Sequence, residues 1–219
     1  MFDFILFIIA LVIVISVHEF CHAWVANRLG DPTPKYYGRL TLNPLAHLDL
    51  VGTIMLFVLH IGWGKPVPIN PDNFHKPKRD SALVALAGPG SNFLMAFLIG
   101  VPVTYFASIQ DSVSVAARFF DILFQITVTL GVFNLLPFPP LDGSKVVGLI
   151  IPRRYNGYYE DFLREGMTYF VVFVLVDLFV LNRTFGFSII GFIVGNLTEY
   201  IGSFILLGTC MENGAMLTC

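Results

Sequence analysis

The stretch Ser16–Trp24 reads SVHEFCHAW and sets two imidazoles and a carboxylate close together. His18 and His22 are four positions apart, so in a helix they share one face about 6 Å apart along the axis, close enough to grip one metal ion. Glu19 stands beside them. With zinc between the histidines, such a carboxylate serves as general base for water while the metal polarises a carbonyl, which is hydrolytic chemistry. The setting sharpens the point, because Asp3 is the only charge in the fifteen residues before Ser16. A carboxylate near the centre of a membrane helix costs roughly 2.5–3.5 kcal/mol, and no Lys or Arg precedes Arg28 to offset it. A divalent cation supplies the missing positive charge.

Catalytic zinc needs a third protein ligand and an open position for water. The best candidate lies in NLLPFPPLDGSKV, where Asp142 follows a helix end broken by Pro137, Pro139 and Pro140 and can fold inward. Taken alone, LDG is an ordinary turn; joined to HExxH it becomes a ligand candidate. His47, His60 and His75 have no second ligand-type residue at helical spacing and are set aside as ligands, although His47 lies where it could line a cleft.

The elements that must position these groups are membrane helices. Of the 219 residues, 56% are hydrophobic and 13% charged, against roughly 25% charged in soluble domains. An all-α polytopic membrane protein follows, and nothing marks a nucleic-acid partner. The start is not a signal peptide: it opens on Asp3 rather than on positive charge and lacks a small-residue cleavage site. Three cysteines, Cys21, Cys210 and Cys219, form no disulfide framework.

Phe2–Asn27, Ser81–Ala107 and Ser114–Phe138 are long enough to span, and Met167–Leu181 with Phe185–Leu207 reads as a C-terminal pair turning at Asn182, Arg183 and Thr184. About five transmembrane helices are expected. Leu48–Ile61, only fourteen residues long, suits a re-entrant segment. Alternation and prolines in GRLTLNP and KPVPINP suit a short membrane-associated β element. AGPGSN at Ala87–Asn92 reads as a small-residue packing surface. Lys78, Arg79, Arg153 and Arg154 read as interfacial anchors.

Together HEFCH, GRLTLNPLAHLDLVGT, KPVPINPDNF, ALAGPGSN and FNLLPFPPLDG resemble the site-2 protease family of intramembrane zinc metalloproteases, over about Val17–Val147. The compact form, without an evident PDZ or CBS insertion, is similar to its small prokaryotic members. The resemblance implies one domain over residues 1–219, with a catalytic core at about 1–147 and a helical pair at about 167–208. It implies that His18, His22 and Asp142 bind one Zn²⁺, that Glu19 is the catalytic base, and that Asn134 helps stabilise the oxyanion. Without the resemblance, Asn134 reads as an Asn capping a broken helix. The expected function is hydrolysis of a peptide bond within or beside a transmembrane segment of another membrane protein; the alternative is a metal transporter using the same ligands, which would not need Glu19. Substrate helix must unwind to be cut, and GRLTLNP or KPVPIN is expected to offer a strand edge that holds it.

Ligand convergence also constrains topology. HEFCH lies near the end of the first helix and LDG just past the Ser114 helix, so both ends must emerge on one face, which requires Leu48–Ile61 not to cross. All but Arg118 and Arg183 of the 13 Lys and Arg residues then share that face. The positive-inside rule makes it cytoplasmic, so the expectation is a multi-pass cell-membrane protein with a cytoplasm-facing site.

Overall fold

The computed structural model describes residues 2–50, 52–54, 64–110, 112–206, 209–212 and 215–218. Its principal elements are helices: α1 (Phe2–Arg28), α2 (Thr33–Tyr36), α3 (Pro77–Ser108), α4 (Val115–Asn134), α5 (Asp142–Val147), α6 (Asn156–Val176), α7 (Asn182–Phe185) and α8 (Ile189–Ile205). Two short strands, β1 (Thr209–Glu212) and β2 (Ala215–Thr218), pair as an antiparallel hairpin at the C-terminal end. Local chemistry sets the helix starts. Pro77 opens α3, where Asp80 accepts from the backbone N–H of Lys76, and Ser114 caps α4 by accepting from Ala117 N–H.

Among the described residues, four helical stretches are long and apolar enough to cross a membrane: Phe2–Arg28, Pro77–Ser108, Val115–Asn134 and Asn156–Phe185. α8 is apolar but has only 17 residues. Ala10 and Val14 of α1, Ala96, Ile99 and Val103 of α3, and Phe124, Val128 and Val132 of α4 form the buried core, with Val194 and Ile205 of α8 packed against it. The alanines let the helices approach closely where lipid offers no hydrophobic drive to associate.

Two pairs of contacts fix the helix directions. His22 meets Val84 and His18 faces Gly88, so α1 and α3 are antiparallel. Asp3 pairs with Arg118 at 3.3 Å at one end, and Asp142, just beyond α4, meets the histidines at the other, so α1 and α4 are parallel. The chain between α1 and α3 leaves and returns at one end of the bundle. Asp31, fully buried just after α1, ties that connection down by accepting from Thr33, from Asn70 N–H at 2.8 Å and from Asn73 Nδ2 at 2.7 Å.

Several boundaries differ from the sequence reading. GRLTLNP and KPVPINP carry no strand among the described residues; an isolated antiparallel bridge joins Leu48 and Gly64 instead. Lys65 N–H bonds His47 O within that bridge, but prolines 66 and 68 remove the next ladder donors, and the other N–H groups go to side chains: Val67 to Glu19 and Asn70 to Asp31. Most of Leu48–Ile61 lies outside the described residues. α4 ends at Asn134 rather than Phe138. The helix begun at Asn156 continues past Asn182–Thr184, through a π-helical turn at Asp177–Leu181, to Phe185. It turns at Gly186, whose φ of 64° is left-handed and suits glycine. Asp177, wholly buried, accepts from Ser188 Oγ and Ile189 N–H, so this buried carboxylate holds the hairpin of α6 to α8 together.

Candidate metal centre

α1 presents His18 and His22 on its buried face, as their spacing requires, and Asp142 reaches them from the first turn of α5. The geometry is a small triangle: His18 Nε2 to His22 Nε2 is 3.0 Å, His18 Nε2 to Asp142 Oδ2 3.3 Å, and His22 Nε2 to Asp142 Oδ2 3.1 Å. The residues are 4%, 6% and 9% exposed. His22 donates its Nδ1 proton to Val84 O at 2.7 Å, which leaves the Nε2 of a neutral ring as a lone pair aimed at the Asp142 carboxylate. Lone pair against anion at such a distance calls for a cation between them.

Zinc fits that demand. Ligand atoms about 2.0–2.1 Å from a tetrahedral zinc stand about 3.3–3.4 Å apart, close to the edges observed. Two imidazoles and one carboxylate form a donor set with a fourth position left for water. Among the described residues this is the single cluster of three metal-ligating groups. His47 is fully buried and directs Nε2 to Thr41 O, His75 is exposed in the loop before α3, and His60 lies outside the described residues.

Space for an ion depends on α3. A β-carbon at Gly88 would stand 2.4 Å from His22 Nε2 and 2.6 Å from His18 Nε2. The run AGPGSN is thus more than a packing surface: its first glycine keeps the ligand atoms uncovered. Gly143 does comparable service for Asp142, since a β-carbon there would come within 2.1 Å of Leu135 O and 2.4 Å of Leu136 O. This glycine lets α5 pack onto the carbonyls that close α4. Tyr159 Oη donates to Ser144 O, and Lys78 Nζ donates to Ile151 O and Asn156 Oδ1, which brace the α5 region from α6 and α3. Lys78 is therefore a structural link between α3 and the chain around α5.

Glu19 and Asn134 meet at a cavity of about 360 Å³. Its wall runs from Ile8, Leu11, Val12 and Ile15 of α1 to Leu130 and Phe133 of α4, and it includes His18. Glu19 Oε2 accepts from Val67 N–H at 3.2 Å, a contact with no local sequence signal. Asn134 donates from Nδ2 to Leu130 O at 3.0 Å, one turn back in its own helix. The structure thus brings His18, His22 and Asp142 into contact and sets Glu19 and Asn134 on the cavity beside them. Val84, Gly88 and Val67 escaped sequence reasoning; the glycine in an otherwise apolar helix was the one available hint.

Comparison with known proteins agrees with this chemistry. The sequence model of peptidase family M50 matches residues 6–109 and 99–178. YwhC of Bacillus subtilis (strain 168), provisionally named a zinc metalloprotease, is 38% identical over 176 residues, covering 78% of this chain and 80% of YwhC. Rip2 of Mycolicibacterium smegmatis, provisionally named likewise, is 35% identical over 144 residues, and the chain spans 55% of its length. The regulator of sigma-E protease RseP of Escherichia coli (strain K12) is 32% identical over 122 residues, covering 47% of this chain and 27% of RseP. No solved structure gives a significant match.

Proposed function

This chain belongs to peptidase family M50 and is a zinc metalloprotease, and on that premise we propose that it hydrolyses a peptide bond within or beside a membrane-spanning segment of another protein. The observation that carries the reading is that the ligand triangle adjoins an apolar cavity walled by the membrane-depth residues of α1, with Glu19 on its lining. An apolar substrate segment, once unwound, finds complementary surface there, and residues of a helix must unwind because their carbonyls are otherwise hydrogen-bonded.

In this reading His18, His22 and Asp142 hold the zinc. When bound, the ion polarises the scissile carbonyl and lowers the pKa of water. Glu19 is the general base: Val67 N–H holds one carboxylate oxygen, and the other takes a proton from the attacking water and delivers it to the leaving amine. Asn134 spends one amide N–H on Leu130 O, and its second N–H is the donor we assign to the oxyanion. Residues 1–147 form the catalytic core, with the helical pair at about 167–208 along its flank.

The centre faces the cytoplasm and the N-terminus lies outside. Supporting this, α1 ends and α3 begins at one end of the bundle, joined through Asp31 and Asn73, while Arg118 sits at the other end beside Asp3. With the centre on that side, every Lys and Arg except Arg118 and Arg183 lies on the cytoplasmic face, as the positive-inside rule requires. The test is reconstitution of zinc-loaded protein with tagged single-span substrates in lipid vesicles. Two fragments from a cut in or beside the span are expected; cleavage confined to soluble peptides would refute the intramembrane reading.

A further inference from the structure

The two histidines of the centre are held differently. His22 has a fixed acceptor for Nδ1 in Val84 O, whereas His18 Nδ1 is buried without a partner. A metal-ligating imidazole gives its other ring N–H to an acceptor that fixes ring orientation and raises ligand basicity. Asn92 is fully buried, and both its amide oxygen and its amide nitrogen lack partners. Buried amides are nearly always hydrogen-bonded, so this side chain needs a polar neighbour.

Helix pairing supplies one. His22 meets Val84 and His18 faces Gly88, so one further turn along the antiparallel pair brings Asn92 level with the turn of α1 that precedes His18. Side chains on a helix lean toward its N-terminus. In an antiparallel pair that makes His18 lean toward the level of Asn92, and Asn92 toward the level of His18. α4 meets Asn92 with Gly131, where a β-carbon would stand 3.2 Å from Asn92 Cβ, and a glycine offers no side-chain partner.

We infer that Asn92 is the outer hydrogen-bond partner of His18: one bridging water accepts the Nδ1 proton of His18 and donates to the Asn92 amide oxygen. Buried waters occupy such positions by bonding two to four polar groups that would otherwise be unpaired. The link sets the tautomer that leaves His18 Nε2 free toward His22 and Asp142. Asn92 is thus a positioning residue. The inference rests on the reading of His18 as a zinc ligand.

The test uses the full chain in detergent, stripped of metal and titrated with zinc against a chromophoric chelator. Asn92→Leu, of similar volume and without polar atoms, is expected to weaken zinc binding by roughly 10- to 100-fold, while the thermal midpoint of the metal-free protein holds or rises. Asn92→Asp keeps an oxygen acceptor and is expected to retain wild-type affinity. If Asn92→Leu does not fold, Asn92→Ala carries the same expectation for zinc. Wild-type affinity in the apolar variant overturns the inference. Equal losses in Asn92→Leu and Asn92→Asp overturn it as well, since they mark a packing role. Failure of the parent reading is distinct: the wild-type chain would bind no zinc, and His18→Ala would change nothing.

Discussion

A β-carbon at Gly88 would stand 2.4 Å from Nε2 of His22, inside the contact distance of any two such atoms. The backbone of α3 thereby seals one side of the ligand triangle while leaving the nitrogen lone pairs uncovered. Gly88→Ala is expected to cost the protein most of its zinc, by at least about tenfold in affinity if either imidazole is turned from its place. Metal analysis of the purified variant checks this, with helix content measured alongside to show that the bundle persists.

Glu19→Gln separates base from ligand. The amide keeps an oxygen that accepts from Val67 N–H, so the local fold and the zinc content should stay near wild type. Hydrolysis should fall by about 10²–10⁴-fold, the usual share of a general base. Substantial turnover by this variant would remove Glu19 from the mechanism.

Asp142→Ala, His18→Ala and His22→Ala should each lower zinc content together with activity, because each deletes one corner of the triangle. For Asp142→Ala the loss also removes the carboxylate that both imidazoles meet. A chelator such as phenanthroline should inhibit the wild-type enzyme, with restoration by added zinc. An Asp142→Ala protein that retained stoichiometric metal and full activity would show that the third ligand lies elsewhere.

Asp31 gives the α1 to α3 connection a dependence on pH. Burial favours its neutral form, but hydrogen bonds from Thr33, Asn73 and Asn70 outweigh that and hold its carboxyl below the ordinary value of 3.8. A carboxylate depressed in the folded state contributes stability that is complete above its unfolded value and is lost as pH falls through the folded one. Thermal stability in detergent should therefore decline below about pH 4. Asp31→Asn should flatten this part of the profile and lower stability at neutral pH by about 1–3 kcal/mol. An unaltered acid limb in the variant would assign the decline to other carboxylates.

Gly157, exposed on α6 with open space around a β-carbon, and His75, exposed before α3, suit cysteine labelling in a background lacking the three native cysteines. Gly157→Cys and His75→Cys should resist a membrane-impermeant thiol reagent in intact cells and react once the membrane is opened. Reaction of either from outside would reverse the proposed orientation.

Features that depend only on neighbours along the chain are legible in the residue order. Apolar runs placed α1, α3 and α4, because burying their side chains in lipid requires no partner. The spacing of His18 and His22 put both on one helix face, because helical geometry is local. Asp142 was legible through its motif and the proline-broken end before it. Even local signals misled where several competed: polar Asn182–Thr184 resembled a turn, yet the chain turns at Gly186, whose left-handed backbone ends the helix, and Ser188 caps the next.

Features that depend on distance in space arise only when the helices pack. That α3 runs antiparallel to α1 brings Val84 O to His22 and Gly88 against both ligand rings, across sequence separations that no helical period encodes. The Leu48–Gly64 bridge does not extend along KPVPINP, because Pro66 and Pro68 have no N–H to give and the N–H groups of Val67 and Asn70 are taken by the carboxylates of Glu19 and Asp31. A buried donor must be paired, and which partner it finds is settled only when the helices pack. The centre is therefore half local and half global: two ligands set by a helical turn, and their third partner, their clearance and their supporting hydrogen bonds set by the bundle.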